Sequence, residues 1–415
     1  MALGAPVAFA LALSGAVGLY CIGGATLLSG ILSSTTVAAI SSYELITVPM
    51  FLLMAEFVIL SGVADQLFRA AAAWTGRLPG GLGVATAFAG AGFGAICGSS
   101  TAAAATLSST SYGAMIEHRY DPKMAAGVVA ISGTLAMLIP PSIALILYAF
   151  VADLSVGRLL IAGILPGLLV AATIAITVML LAVHDQKGVS RSRRYTIREK
   201  FQSLKVAAPV LFLFFMVTGI IYSGVATPTE ASGLGAFGAL LLAAARGRLT
   251  FKSLQRAVLN ATGTTCMIFL IILGAKFFGY FFTLTQVTPT LVEALAGSEL
   301  HPYLILIVII AGYILMGCIL DQLAILIITV PVVVPVILHL GFDPIWFGVI
   351  VIVVAEVGLL TPPLGINTFV VARYTKLPLG TVFAGIIPHI IAHLFAITLL
   401  IIFPGIVLWL PSTMQ

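Results

Sequence analysis

The sequence predicts an all-α polytopic membrane protein, and three observations carry this prediction. Of the 415 residues, 61% are apolar and only 8% are charged, whereas soluble globular chains are roughly half apolar and about a quarter charged. The apolar segments are long and continuous, which suits spanning helices better than the short alternating strands of a β-barrel. The third observation is an internal repeat, described below. The composition excludes a water-soluble enzyme.

Ten apolar segments are long enough to cross the hydrocarbon of a bilayer as helices. They are residues 4–30, 44–62, 124–151, 155–183, 206–222, 228–245, 258–283, 302–318, 345–372 and 380–410. The chain enters the first segment without a basic leader or an A-x-A cleavage site, so we expect no cleavable signal peptide.

Two stretches differ from simple spans. Residues 81–116 and 302–340 each contain an apolar run, a polar break and a second apolar run. The breaks are Gly98-Ser99-Ser100-Thr101 and Leu320-Asp321-Gln322. Non-helical backbone at membrane depth is tolerated only inside protein or beside a cavity. We therefore predict two re-entrant hairpins.

The basic residues predict the orientation of the chain. A hydrophilic linker near 184–205 and a basic arm at 246–256 hold most of them. If both lie in the cytoplasm, all of the 19 Lys and Arg except Arg158 and Lys276 fall on the cytoplasmic side, in line with the positive-inside bias. The hairpins then enter from opposite faces, with the N-terminus cytoplasmic and the C-terminus outside. The basic surplus serves topology, and no nucleic-acid partner is expected.

An internal repeat relates the two halves of the chain. Three pairs of motifs recur with the same separation of 222 positions, namely Asp121-Pro122 with Asp343-Pro344, Pro140-Pro141 with Pro362-Pro363, and residues 162–166 with 384–388. The predicted topology gives the two halves opposite orientations. Inverted repeats with interrupted helices are typical of secondary transporters whose site lies near the bilayer midplane.

Two spans are predicted to break at the consecutive prolines Pro140-Pro141 and Pro362-Pro363. Proline lacks an amide donor and clashes with the preceding turn, so carbonyls just before the break lose their helical partners. Such carbonyls are ligands for a small cation, while half-helix N-termini facing the break suit an anion. A packing kink is the alternative for each break, but two breaks in one repeat register favour a binding site.

Polar residues at the hairpin tips and in the second break complete the predicted site. They are Ser99, Ser100, Thr101, Asp321, Thr361 and Asn367. Neutral oxygens with one carboxylate resemble Na⁺ ligation more than divalent-metal ligation. No Lys, Arg or His occurs in residues 81–116, 124–151, 310–338 or 345–372. An anion held there would depend on bound Na⁺, helix N-termini and hydroxyls, which predicts obligatory coupling to Na⁺.

Other polar residues in apolar segments leave alternatives open. Glu56 and Glu356 are either functional or structural, for example as partners of Lys276. Glu230 follows Thr227-Pro228-Thr229, a sequence that predicts a capping box with Pro at the first helical position, so we assign it a structural role.

Catalysis and channel activity are not indicated. His389 and His393 lie one helical turn apart without a third ligand, so we expect core histidines and not a metal site. No Ser/His, paired-aspartate or HExxH arrangement is present, which disfavours an intramembrane enzyme. A channel would not need two hairpins that enter from opposite faces.

Several motifs together point to a known family. They are Gly98-Ser99-Ser100-Thr101, Tyr120-Asp121-Pro122, Gly133-Thr134-Leu135, Leu138-Ile139-Pro140-Pro141-Ser142, residues 162–167, 227–231 and 341–348, and Gly358-Leu359-Leu360-Thr361-Pro362-Pro363-Leu364-Gly365-Ile366-Asn367. The chain resembles the large membrane (M) subunit of tripartite ATP-independent periplasmic (TRAP) transporters over nearly its whole length. The resemblance implies the elevator-type fold of the ion-transporter superfamily, in which a mobile domain of hairpins and broken helices slides against a scaffold.

The resemblance also implies ligands and partners. The first Na⁺ site falls on Ser99, Ser100, Thr134, Ile139 and Pro140, and the second on Asp321, Gly358, Thr361 and Gly365. Substrate binding is assigned to Ser99, Ser100, Thr101, Pro141, Ser142, Pro363 and Asn367. The implied function is Na⁺-coupled uptake of a carboxylate, such as a C4-dicarboxylate or sugar acid, across the bacterial inner membrane. A periplasmic substrate-binding protein and a small four-helix membrane subunit are the implied partners; the alternative is a self-sufficient Na⁺/carboxylate symporter.

The predicted organisation divides the chain into six parts. These are scaffold helices and arm at 1–80, half of the transport domain at 81–154, a linking helix and basic linker at 155–205, second scaffold helices and arm at 206–301, the other transport-domain half at 302–376, and a C-terminal helix at 377–415.

Inverted topology predicts opposite accessibility of two equivalent loops. In a variant without native cysteines, a single cysteine at Arg119 should react from the cytoplasmic side and one at Gly341 from the periplasmic side, because the repeat places these positions at opposite membrane faces. Labelling with a membrane-impermeant thiol reagent in right-side-out and inside-out vesicles measures this. Reaction of both positions from one side would rule out inversion.

Overall fold

The computed structural model describes residues 6–184, 195–296 and 300–414, and this part of the chain is helical without strands. Seven of its helical segments are long and apolar enough to cross a membrane. These observations confirm the predicted all-α polytopic class. Four basic residues of the predicted cytoplasmic linker, Lys187, Arg191, Arg193 and Arg194, lie outside the described residues.

Twenty α-helices follow one another in the described chain. The first half contains α1 (Val7–Ile40), α2 (Thr47–Ser61), α3 (Ala64–Thr75), α4 (Gly81–Cys97), α5 (Ser100–Thr110), α6 (Tyr112–Glu117), α7 (Pro122–Thr134), α8 (Ile143–Val151), α9 (Val156–Ala162) and α10 (Ile164–His184). The second half contains α11 (Ile197–Tyr222), α12 (Pro228–Ala245), α13 (Phe251–Leu284), α14 (Val287–Ala296), α15 (Pro302–Gly317), α16 (Gln322–His339), α17 (Pro344–Gly358), α18 (Ile366–Thr375), α19 (Leu379–Ile402) and α20 (Gly405–Ser412).

Both predicted hairpins have the expected helix–break–helix form. In the first, α4 ends at Cys97 and α5 begins at Ser100, and the two helices pack against each other. In the second, α15 and α16 pack together around a break at residues 318–321. Asp321 ends this break because its carboxylate accepts a hydrogen bond from the amide of Leu323 and so caps α16.

Both predicted helix breaks are also present. After α7, a 3₁₀ turn at Leu135–Met137 leads into the break, and α8 starts only at Ile143. The second break separates α17 from α18. Each break contains a cis peptide bond between its two prolines.

The motif repeat is matched by the helix boundaries. The starts of α5 and α16, at residues 100 and 322, lie 222 positions apart, and those of α7 and α17, at 122 and 344, do so too. The same separation relates the two Pro-Pro breaks. The repeat therefore reflects a recurring order of hairpin and broken helix.

Several predicted segment boundaries are wrong. The helix α11 begins at Ile197, inside the predicted linker at 184–205 and before the predicted span 206–222, and α13 begins at Phe251 and not at residue 258. The first helix runs to Ile40 and not to residue 30, with non-helical backbone at Gly23 and Gly24. The polar C-terminal end of this helix remains helical because its side-chain hydroxyls donate hydrogen bonds to backbone carbonyls one turn earlier. For example, Thr36 Oγ1 donates to the Leu32 carbonyl oxygen at 2.6 Å. The predicted C-terminal helix is two helices, α19 and α20, since Pro404 restricts the residue before it and interrupts the helix.

Close helix approach at glycine joins the two halves of the chain. Gly127 on α7 faces the backbone of Gly385 on α19, and a Cβ at either position would overlap the facing carbonyl region. Gly317 on α15 and Gly358 on α17 make a comparable contact. Inside a membrane no hydrophobic effect drives helices together, so their association depends on close packing. Small residues allow that packing because the two backbones can approach each other closely. The first contact joins the first broken helix to α19, and the second joins the second hairpin to the second broken helix.

Substitution at one of these contacts should destabilise the fold. Gly127→Ala is expected to lower stability by about 1–3 kcal/mol, because the new methyl overlaps the Gly385 carbonyl. The control is Gly219→Ala, on α11, where an added Cβ meets nothing within 4 Å. Thermal unfolding of both purified variants in detergent measures the difference, and equal melting temperatures would contradict the role of this contact.

Candidate functional site

A cavity of about 500 Å³ lies where the two hairpin tips face helices α1, α2 and α13. We call it the tip cavity. The first tip contributes residues 97–102, and the second contributes Asp321 together with Leu323 and Ala324. Glu56 of α2 lies in the opposite wall. The structure thus brings the two predicted tips to one cavity, although they are far apart in the sequence.

The first tip owes its shape to Gly98 and Ser99. Gly98 ends α4 with φ of 60°, a left-handed conformation that favours glycine, and the carbonyl of Pro141 lies against it. Ser99 caps α5, its Oγ accepting from the amide of Ala102 at 3.5 Å and lying 3.2 Å from Thr101 Oγ1. This arrangement presents a row of hydroxyls to the cavity and holds the tip against the first break.

The first break is closed by its own polar side chains. Ser142 caps α8: its Oγ accepts from the amide of Leu145 at 3.2 Å and donates to the carbonyl of Met137. Thr134 Oγ1 donates to the carbonyl of Ile131 at 2.7 Å. Both hydroxyl protons are therefore engaged locally, and oxygen lone pairs are what these residues can still offer to a cation.

The second tip carries an acid that faces the cavity. The Asp321 side chain is exposed there, and its Oδ2 accepts from the amide of Leu323 at 3.1 Å. Gln322 points the other way. It is fully buried, and its Nε2 donates to the carbonyl of Ile352 at 3.1 Å, while its Oε1 has no partner.

The second break is bonded to the second hairpin. Thr361 Oγ1 donates to the carbonyl of Gly358 at 2.9 Å and lies 3.0 Å from Cys318 Sγ. The amide of Leu364 donates to the Cys318 carbonyl at 3.3 Å. Gly365 opens α18 with φ of 59°, which again suits glycine. The second tip and the second break are therefore bonded to each other.

A buried acid lies between the two tips. Glu356 on α17 is 2% exposed, and Asn367 Nδ2 donates to its Oε2 at 3.5 Å. The Ser100 side chain lies within hydrogen-bonding range of this carboxylate, and the like charge of Asp321 acts on it from nearby. Sequence reasoning left Glu356 undecided and overlooked Gln322. Their positions in the sequence could have pointed to them. Gln322 follows Asp321 in the polar break, and Glu356 precedes the Pro-Pro motif by one and a half turns.

These residues fit a small oxygen-seeking cation. Within the described residues, Glu356 Oε1, Asn367 Oδ1 and Gln322 Oε1 are buried acceptors without a hydrogen-bond donor. Buried acceptors are normally satisfied by a donor, a water or an ion. The set consists of oxygens only, one of them from a carboxylate, which matches the preference of hard monovalent cations for oxygen.

The remaining predicted site residues lie behind the tips or outside the cavity wall. Ser99, Ser100, Thr101 and Asp321 line the tip cavity, whereas Thr134, Ile139, Pro140, Pro141, Ser142, Gly358, Thr361, Pro363, Gly365 and Asn367 do not. Pro363 is exposed, and Asn367 is fully buried beside Glu356. Opposite α1, α2 and α13, the cavity wall therefore comes mainly from the tips, together with Met137 and Ile143 at the two ends of the first break.

The wall of the tip cavity has an unusual charge balance. It contains two acids, Glu56 and Asp321, and no Lys, Arg or His. Glu56 Oε2 accepts a hydrogen bond from Asn260 Nδ2 at 3.3 Å. A bound anion would thus meet hydroxyls and carboxylates but no basic side chain of this wall.

The other polar residues singled out in apolar segments have structural partners. Glu230 completes the predicted capping box, because the amide of Thr227 donates to its Oε2 at 2.8 Å and its own amide donates to Thr227 Oγ1 at 3.3 Å. The Nζ atom of Lys276 lies over the Phe150 ring, 5.5 Å from the ring centroid. The alternative of a pair between Lys276 and one of these acids is not seen in the described residues, where Glu56 and Glu356 are hydrogen-bonded to asparagines.

Comparison with solved structures supports the fold. The YdaH transporter of Alcanivorax borkumensis aligns with a TM-score of 0.70 over 96% of this chain and 97% of its own, at 15% identity. MtrF of Neisseria gonorrhoeae aligns with a TM-score of 0.64 over 96% of this chain and 93% of its own, also at 15% identity. At this identity the likeness concerns the fold alone.

Comparison of sequences is more specific. A family model described as the DctM component of the tripartite ATP-independent periplasmic transporter matches residues 1–406. The C4-dicarboxylate TRAP transporter large permease DctM of Pseudomonas aeruginosa is 33% identical over 371 residues, 89% of this chain and 86% of that protein. The sialic acid large permease SiaM of Vibrio cholerae is 31% identical over 374 residues, 90% of this chain and 87% of that protein. This chain therefore belongs to the DctM family, the large permease component of TRAP transporters.

Proposed function

We propose that this chain carries an organic carboxylate across the inner membrane together with Na⁺, by an elevator movement of the hairpins and broken helices. The observation that best supports this proposal is the tip cavity, whose wall contains hydroxyls and two carboxylates but no basic residue. The relatives are named for C4-dicarboxylate, sialic acid and 2,3-diketo-L-gulonate, all organic acids. A substrate carboxylate bound in this cavity therefore needs a compensating positive charge that the wall does not supply.

The residues that would hold Na⁺ are the oxygens of the first tip and break and of the second tip and break. Na⁺, when bound, supplies the positive potential that the wall lacks. Ser99, Ser100 and Thr101 can then donate hydroxyl protons to the carboxylate while their backbone oxygens face the ion. Glu356 and Asn367 support this arrangement from behind, with one unpartnered oxygen each.

The packing supports movement of the transport domain as a unit. The second hairpin is tied to the second broken helix by the Gly317–Gly358 contact and the Cys318–Thr361 pair, and the first tip is held against the first break at Gly98 and Pro141. On the other side of the cavity, α1 packs along α13, and α2 packs against α12 and α13. Because the tip cavity lies between these two groups of helices, sliding one against the other would expose it to alternate sides.

The partners follow from the family. We expect a periplasmic substrate-binding protein and a small four-helix membrane subunit, with the N-terminus of this chain in the cytoplasm and its C-terminus in the periplasm. The isethionate TRAP permease DctMQ of Oleidesulfovibrio alaskensis is 30% identical over 402 residues, but this chain covers only 62% of its length. The part of that relative that this chain does not cover is long enough to contain a second subunit fused to the large one.

Reconstitution tests the function directly. The permease, its small subunit and its binding protein are placed in proteoliposomes, and uptake of radiolabelled succinate, as a C4-dicarboxylate, and of sialic acid is measured with and without an inward Na⁺ gradient. Uptake that needs both Na⁺ and the binding protein supports the proposal. Uptake that persists without the binding protein would favour the self-sufficient symporter, and uptake indifferent to Na⁺ would refute coupling.

Asp321→Asn should weaken the dependence on Na⁺ more than it weakens folding. The variant keeps an oxygen that can cap α16 but removes the carboxylate charge from the second tip. We expect the Na⁺ concentration for half-maximal uptake to rise about tenfold, the scale of one charge-assisted contact. Asp65→Asn, an exposed acid on α3 outside the cavity, is the matched control. An unchanged half-saturation would remove Asp321 from the Na⁺ site.

Ser100→Ala should weaken substrate binding with less effect on Na⁺. The substitution removes a cavity-lining hydroxyl and keeps the backbone carbonyl, so substrate affinity should fall about tenfold, or ~1–1.5 kcal/mol for one hydrogen bond. Ser108→Ala on the same helix is the control, because that hydroxyl donates to the Ala104 carbonyl within α5. If Na⁺ binding collapsed while substrate affinity stayed the same, the first tip would bind the cation alone.

A further inference from the structure

A second cavity of about 440 Å³ adjoins the tip cavity. It lies between the last turns of α2 and the first turns of α13, and we call it the α2–α13 cavity. Its wall includes Leu60, Lys252, Arg256 and Asn260. Glu56 and Ile59 belong to the walls of both cavities. The two spaces therefore adjoin at these side chains.

The two cavities differ in charge. The tip cavity has no basic residue in its wall, whereas the α2–α13 cavity has two, Lys252 and Arg256. The Glu56 carboxylate at the boundary takes its hydrogen bond from Asn260 and is reached by Arg256 only through electrostatic attraction. Among the described residues neither cation forms a side-chain hydrogen bond, so both keep their donors for a ligand.

An anion that leaves the tip cavity toward α2 meets these groups in a fixed order. It first passes Glu56, which repels it, and then reaches Arg256 and Lys252. The predicted topology places the start of α13 at the cytoplasmic face, because the basic arm at 246–256 lies there. Guanidinium binds carboxylate through two parallel hydrogen bonds, and ammonium adds a point charge.

We propose that Lys252 and Arg256 form a second carboxylate-binding site on the cytoplasmic side, which receives the organic anion from the tip cavity across Glu56. This inference rests on the proposed function, since it takes the same class of ligand. Glu56, held by Asn260, raises the free energy of an anion at the boundary and so keeps the two sites distinct. Carboxylate bound at the second site is stabilised without Na⁺, which allows the ion and the anion to part.

The test measures occupancy of the α2–α13 cavity without relying on transport. In a variant whose native cysteines are replaced, Leu60→Cys places a thiol in the cavity wall. Its reaction with a neutral maleimide is followed in inside-out phosphatidylcholine vesicles that hold the permease and its small subunit, with increasing succinate and no Na⁺. Succinate should slow labelling. In Arg256→Gln the succinate concentration that halves the rate should rise about tenfold, the scale of a charge-assisted pair, and Arg256→Lys should restore part of the protection.

Controls separate this site from a general basic surface. Arg198→Gln, an exposed arginine on α11 away from both cavities, should leave protection unchanged. Equal protection in Arg256→Gln and the parent protein would overturn the proposal. The proposal would also be overturned if added phosphatidylglycerol, but not succinate, protected the thiol from labelling, because the cavity would then be a lipid site. Because labelling reports binding alone, a protein that shows Arg256-dependent protection but carries no succinate would refute the transport proposal and leave the second site standing.

Discussion

Charge compensation in a low-dielectric cavity is the constraint on which the rest of this protein depends. The tip cavity is walled by hydroxyls, apolar side chains and the carboxylates Glu56 and Asp321. Removing an anion from water into such a wall is costly unless positive charge comes with it. In the proposed function the helix breaks answer this requirement, because each break frees backbone carbonyl oxygens beside a hairpin tip.

Rigidity follows from the same requirement. In the proposed function, the oxygen ligands of Na⁺ must keep their spacing, so we expect the tips not to move freely against the breaks. Gly98 lies against the Pro141 carbonyl at the first tip, and Gly317 lies against Gly358 at the second. Backbone-to-backbone packing leaves no flexible side chain between tip and break. The polar caps Ser142 and Asp321 then fix where each half-helix begins.

Much of this architecture could be predicted from the sequence, since prolines, glycines and caps act locally. The Pro-Pro motifs located both breaks, and the polar tripeptide at Asp321 located the second tip. The end of α1 was misplaced because hydroxyls such as Thr36 are satisfied inside the helix, which composition does not show. The roles of Glu356 and Gln322 depend on burial and on contacts between distant segments. No local pattern encodes such contacts.

The length of α13 has a consequence for how this protein can vary. It is one helix of 34 residues, about 50 Å long. Successive stretches of it line the α2–α13 cavity at Arg256, the tip cavity at Thr264 and Ile271, and a further cavity at Lys276. An α-helix turns by about 100° per residue, so a single insertion or deletion between Arg256 and Lys276 would turn one of these linings away from its cavity while the others stayed in place. We therefore expect homologous chains to tolerate substitutions along α13 but not changes in its length.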